Sequence, residues 1–387
     1  MDCARAGCYT PPSVLSGRKH ARMAAHHDVN RIPVWTWAAP IAAAILLALK
    51  FTHIIPAENG IVLALAAVFL AGAVFAAVHH AEIIALKVGE PFGSIVLAVA
   101  ITVIEVALII SILMGASAGS EFLARDTVFA TVMIVLNGII GLCLVVGGMR
   151  HHEQTFQTNA ASSALSVLGT LATITLVLPN YTLTTNGPNY NASQLIFVSL
   201  SCLVLYGVFL FVQTIRHRDY FLADMSEELP LHDTPGTRTT AASVALLLVS
   251  LVSVVLLAKT LSPALEAAIA DAGLPKAFLG VVIAALVLMP EGMAAVRAAA
   301  ANRLQTSLNL ALGSAMATIG LTIPAVSAFA LMSGMTLQLG LGPEEMALLV
   351  LSLFIGTVTL ATGRTTILQG TVHLVIFGVF LFLSAVP

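Results

Sequence analysis

Two glutamates stand where an acidic side chain is costly. Glu105 lies in LAVAITVIEVALIISILMG, residues 97–115, and Glu291 closes PKAFLGVVIAALVLMPE, residues 275–291. An ionised carboxylate at the centre of a bilayer costs roughly 2.5 kcal/mol or more, so each must be neutralised, paired or aimed into a wet cavity. No lysine or arginine falls at their depth. Desolvation and a like-charged neighbour both disfavour ionisation. With no metal bound, at least one of the two is therefore expected to hold a proton near neutral pH. A cation arriving between them displaces protons, and the two then compete for the same oxygens. That competition couples their transport if only loaded states reorient.

Two carboxylates are too few for a hard cation such as Ca²⁺, which takes six to eight oxygens. Further oxygens are expected from the same helices. Pro290 has no N–H, which frees the carbonyl of Leu286 one turn earlier. The amide of Asn137 and the hydroxyl of Ser314 sit at polar steps inside apolar segments, and Gly138 and Gly313 let backbones approach. Thr102 lies one turn before Glu105 on the same face. Glu105, Glu291, Asn137, Ser314, Gly138, Gly313, Thr102 and Leu286 thus form the expected cation and proton site, with Glu105 and Glu291 as the metal-binding pair. Interhelical hydrogen bonding is the competing role for the Asn, Ser and Thr side chains.

The elements that position these residues follow from composition. The 387 residues are 58% hydrophobic and 9% charged, against about 25% charged in a soluble domain. The chain is an integral membrane protein whose surroundings are membrane lipid. Its net charge of −2 argues against a nucleic-acid partner. Cys3, Cys8, Cys143 and Cys202 are scattered and form neither a disulfide framework nor a CxxC pair. Residues 1–32 are mixed and polar, lack a signal-peptide pattern, and read as a cytoplasmic tail.

A spanning helix needs about 20 mostly apolar residues. Eleven stretches qualify: 33–51, 60–78, 92–114, 127–149, 161–179, 194–215, 239–258, 277–299, 305–332, 344–362 and 366–386. With a cytoplasmic N-terminus, thirteen of the seventeen Lys and Arg residues face the cytoplasm, and only Lys50, Arg125, Lys259 and Lys276 face outward. This is the positive-inside bias; it puts the C-terminus outside and suits a multi-pass protein of the cell inner membrane.

After the first span, ten remain, divided five and five by the acidic linker 216–238. PFGSIVLAVAITVIE (91–105) corresponds to PKAFLGVVIAALVLMPE (275–291), and LNG at Leu136–Gly138 corresponds to LGS at Leu312–Ser314. Five spans per repeat is odd, so repeats 60–215 and 239–386 cross in opposite directions, as in secondary transporters with midplane sites. At 1.5 Å per residue, both glutamates lie roughly 20 Å from the ends where their helices begin, one from each side.

These segments resemble the calcium/cation antiporter superfamily, and within it the cation/proton exchangers, most of all the bacterial ChaA-type sodium–calcium/proton antiporters. The resemblance rests on HAEIIALKVGEPFGS (80–94), ITVIE, GGMRHHEQTFQ (147–157), MPEGMAAVRAAAANRLQTSLNLALGSAMATI (289–319) and GRTTILQGTVHL (363–374). It implies an all-α membrane fold of one extra helix plus two inverted five-helix repeats. It also implies export of Ca²⁺ or Na⁺, with K⁺ open, against inward protons. The family's acidic residues carry over onto Glu105 and Glu291, and its helix-breaking polar steps onto Asn137, Gly138, Gly313 and Ser314. Thr102 and Leu288 stand where many relatives have asparagine, and Ala317 stands near a common glutamine, so fewer amide ligands are available here.

Other residues have blander readings. Glu90 suits either a helix N-terminus or a place at the cytoplasmic mouth. His79, His80, His151 and His152 are expected at membrane ends, where histidine could sense pH. His373 is expected to be hydrogen-bonded inside the last span. Glu344 and Glu345 open a helix. No HExxH, nucleophile–base pair or ATP-binding motif is present, so neither an enzyme nor a primary pump is expected. No cofactor or soluble partner is implied; the ions are cargo, and the oligomeric state is open. The alternative to an antiporter is a cation channel or uniporter without obligatory proton exchange.

Overall fold

The computed structural model describes residues 32–52, 60–89, 92–114, 120–185, 187–221 and 235–387. The N-terminal tail with Cys3 and Cys8, Glu90 and most of the acidic linker lie outside the described residues. Eleven helices among them are long and apolar enough to cross a membrane. They are α1 (Val34–Phe51), α2 (Gly60–Val88), α3 (Phe92–Leu113), α4 (Leu123–His151), α5 (Thr158–Tyr181) and α6 (Ala192–Arg216), then α7 (Thr237–Asp271), α8 (Phe278–Ala300), α9 (Leu304–Ser333), α10 (Pro343–Leu360) and α11 (Ile367–Ala385). The fold is the all-α membrane architecture expected, with one extra helix and two inverted five-helix repeats.

The loops sort onto two faces by parity. On one face a two-residue antiparallel ladder pairs β1 (Gln154–Thr155) with β2 (Arg364–Thr365). Beside it Gln154 donates to the Ala299 carbonyl, His151 contacts the Ala300 carbonyl, and the Gln157 N–H donates to Gln305. The α4–α5, α8–α9 and α10–α11 ends are thereby joined. On the opposite face the Gln338 N–H donates to the Glu121 carbonyl, the Leu341 N–H to the Leu176 carbonyl, and Arg125 to the Gly340 carbonyl. Because each repeat has an odd helix count, corresponding loops of the two repeats, α4–α5 and α9–α10, fall on opposite faces.

Two helices run past the expected ends. α2 continues to Val88 rather than stopping near residue 78. His80 therefore lies inside the bundle, fully buried, with Nε2 at 3.1 Å from the Thr36 carbonyl and Nδ1 at 3.3 Å from Ser243 Oγ. It pins the N-terminal parts of α1 and α7 to α2. α7 continues through Lys259 and Pro263 to Asp271, about 50 Å at 1.5 Å per residue. Lys50 on α1 donates to Thr260 on α7 at 2.9 Å, so these residues belong to a helix contact and not to an exposed loop.

Four helices contain π-turns, at Ile134–Ile139 in α4, Thr173–Val177 in α5, Val212–Arg216 in α6 and Thr318–Thr322 in α9. A π-turn inserts one residue into the i→i+4 ladder and rotates the rest of the helix. Those of α4 and α9, the third helices of the two repeats, lie beside the glutamate helices α3 and α8. Close crossings supply the rest of the packing. A Cβ on Gly280 would come within 2.8 Å of the backbone at Asp126 and Thr127, so only glycine lets α8 meet α4 there.

Candidate functional site

Glu105 is fixed by the other repeat. Only 1% of it is exposed, and its Oε2 accepts hydrogen bonds from Thr318 (2.9 Å) and Thr322 (3.0 Å) of α9. A threonine inside a helix commonly donates to its own i−4 carbonyl, as Thr127 does to Leu123 and Thr175 to Leu171. Thr318 and Thr322 bound the π-turn of α9, and both direct their hydroxyls to the carboxylate instead. Ser314 stands one turn before Thr318 on the same helix.

Glu291 has a different environment. It is 7% exposed, and neither carboxylate oxygen meets a hydrogen-bond partner on another described residue. Glu82 of α2 and Glu105 of α3 are the other acids within range of it. Glu105 Oε1, Thr102 Oγ1 and Ser314 Oγ are likewise buried without partners among the described residues. Helices α3, α8 and α9 all pack against one another. Buried oxygens are ordinarily satisfied; what these lack is a donor or a cation. Gly313 faces open space, since a Cβ there would meet nothing within 4 Å. Pro290 lies within the continuous helix α8, so the Leu286 carbonyl has no N–H four residues on.

Asn137 and Gly138 are placed elsewhere. The Asn137 Nδ2 donates to Ser352 Oγ at 2.8 Å, and its Oδ1 lies 3.1 Å from His373 Nδ1. Ser352 donates its own hydrogen to the Leu348 carbonyl, and His373 Nε2 lies 3.1 Å from Thr359 Oγ1. Asn137 is thus engaged with α10 and α11. Ile139, two residues on, points to nearly the opposite side and packs against Gly292, beside Glu291. Gly138 packs against Phe377 of α11. The expected helix break also takes another form: α4 makes a π-turn through Asn137 and Gly138, whereas Gly313 and Ser314 lie in regular helix and the α9 π-turn begins at Thr318.

Three residues near the glutamates are not singled out by the sequence. Glu82 is missed because the second apolar stretch ends ten residues before its helix does; a carboxylate inside an apolar helix is otherwise a clear signal. Thr318 and Thr322 carry only a weak one, two hydroxyls four residues apart shortly after ALGSA. Asp126, also buried, is held by Arg125 at 2.7 Å near the opposite end of α4. Glu345 accepts from the Gly342 N–H at 2.9 Å, so it caps α10. Among the described residues no three Asp, Glu, His or Cys side chains cluster as a metal cage would require.

Comparison with known proteins gives the family and the fold. The family model described as sodium/calcium exchanger protein matches residues 59–215 and 242–386. A putative ionic transporter, y4hA of Sinorhizobium fredii, is 54% identical over 358 residues, covering 92% of this chain and 97% of its own length. The sodium-potassium/proton antiporter ChaA of Escherichia coli is 35% identical over 321 residues, covering 82% of this chain and 87% of its own. Among solved structures, native YfkE superposes with a TM-score of 0.70 at 16% identity, over 91% of this chain and 100% of that one. That likeness establishes the fold.

Proposed function

The chain belongs to the sodium/calcium exchanger protein family, and from that membership and the paired buried acids we propose that it is a secondary active cation/proton antiporter. It exports Na⁺, K⁺ or Ca²⁺ against inward protons. The relative named as a sodium-potassium/proton antiporter supports the monovalent ions, as does the scarcity of amide ligands. The observation that carries the reading is the pair Glu105 and Glu291, buried, within electrostatic range, and holding three oxygens without a hydrogen-bond donor on another described residue. A cation or protons fill that need, and one excludes the other. Thr102, Ser314 and the Leu286 carbonyl supply further oxygens, and Gly313 leaves room. The basic-residue bias supports a cytoplasmic N-terminus and an outside C-terminus in a cell inner membrane.

Inverted membrane vesicles carrying a preformed pH gradient test this. Addition of Na⁺, K⁺ or Ca²⁺ releases the gradient, and the cation needed for half-maximal release rises as pH falls because protons compete. Glu291→Gln and Glu105→Gln each remove a titrating ligand while nearly keeping its shape. Each is expected to lower exchange at least a hundredfold with normal insertion. Cation flux that persists with no proton movement would instead identify a channel or uniporter.

A further inference from the structure

We propose that Thr318 and Thr322 are specificity-determining residues, which restrict Glu105 to a single ligand oxygen and so set the preference between monovalent and divalent cations. This rests on the antiporter site proposed above. A carboxylate oxygen offers about two lone-pair directions, and Oε2 of Glu105 receives two hydroxyl hydrogens, at 2.9 and 3.0 Å. Only Oε1 remains, and it has no partner among the described residues. Glu105 is therefore a one-oxygen ligand while the clamp holds.

The free oxygens then bear on cation choice. Glu105 Oε1, both oxygens of Glu291, Thr102 Oγ1 and Ser314 Oγ are buried and unpartnered on these three helices among the described residues; Ser307 and Ser327 of α9 are unpartnered too, but stand about two and more than three turns along the helix from Ser314. With the Leu286 carbonyl the first set only reaches the lower end of the six to eight that Ca²⁺ takes, often through carboxylates bound by two oxygens. A clamped Glu105 withholds one of those. A monovalent ion with a smaller ligand demand loses less.

The clamp is not a requirement of the repeat fold. In the register that matches the two π-turns, Ile134–Ile139 and Thr318–Thr322, the first repeat has Ile134 and Gly138 where the second has Thr318 and Thr322. Two hydroxyls needed only to build a third helix would be expected in both repeats. They occur where they reach a carboxylate, and both forgo the i−4 carbonyl that Thr127 and Thr175 use.

The test compares Thr318→Val/Thr322→Val, which keeps shape and removes both donors, with Thr318→Ser/Thr322→Ser, which keeps them. Half-saturation for Na⁺ and Ca²⁺ is measured by proton release from inverted vesicles at one pH, and by radiolabelled Na⁺ and Ca²⁺ binding to purified protein. The valine pair should shift the ratio of half-saturations toward Ca²⁺ by about tenfold, and the serine pair should keep the wild-type ratio. Equal weakening of both cations would mean that the hydroxyls are themselves ligands, and would overturn the proposal. So would an unchanged ratio in binding, which is read even if the valine pair no longer transports. If wild-type protein binds cations yet releases no protons, the antiporter reading fails instead.

Discussion

Glu105 and Glu291 occupy corresponding places in two repeats, yet their surroundings have little in common. Glu105 is gripped by two hydroxyls of the opposite repeat. Glu291 has no donor from another described residue, and Glu82 and Glu105 are the other acids within range of it. Two copies of one five-helix design have kept the acid and diverged in what touches it. The repeat puts one carboxylate on the second helix of each half; in the proposed site the divergence would make them unequal ligands, one fixed in direction and one free to turn between proton and cation.

Shortening each acid by one methylene separates the two roles. Glu105→Asp cannot both reach Thr318 and Thr322 and present an oxygen to the pocket, and the cation half-saturation should rise about tenfold, or 1.4 kcal/mol. Glu291→Asp has no donors to abandon and should rise several-fold less. The reverse order in vesicle proton release would break the comparison.

A second contrast is between two glycines. Gly280 sits where α8 meets the α4 backbone, whereas Gly313 faces open space. Gly280→Ala should cost about 1–3 kcal/mol through overpacking, seen as a lower melting temperature in detergent. Gly313→Ala should change stability by less than about 0.5 kcal/mol. Equal destabilisation would show that the space beside Ser314 is not open.

These contrasts also mark what could be read from residue order. The eleven spans were legible because apolar runs of about twenty residues are rare outside membranes. Their ends were not: His79 and His80 suggested the end of α2, yet that helix runs on to Val88 with His80 buried against α1 and α7, and α7 runs past Lys259 to Asp271. The glutamates were legible because a lone carboxylate in such a run has few explanations. Asn137 was legible in type but not in direction, since its side chain turns toward Ser352 and His373 from within a π-turn. Thr318 and Thr322 were hidden because a helical hydroxyl ordinarily serves its own backbone, and only the position of α3 shows that these do not.

The small ladder between Gln154–Thr155 and Arg364–Thr365 bears on where cargo can leave. With the contacts of Gln154, His151 and Gln157, it sews six helix ends into one plate on that face of the bundle. Ions released toward that face must pass alongside the plate, because parting it would unpair backbone groups from both repeats at once. Cysteines at the facing positions, Thr155→Cys with Arg364→Cys, would lock the seam as a disulfide, and turnover in vesicles should stay within about twofold of the reduced protein. A transporter stalled by that single staple would mean that the plate itself is the door.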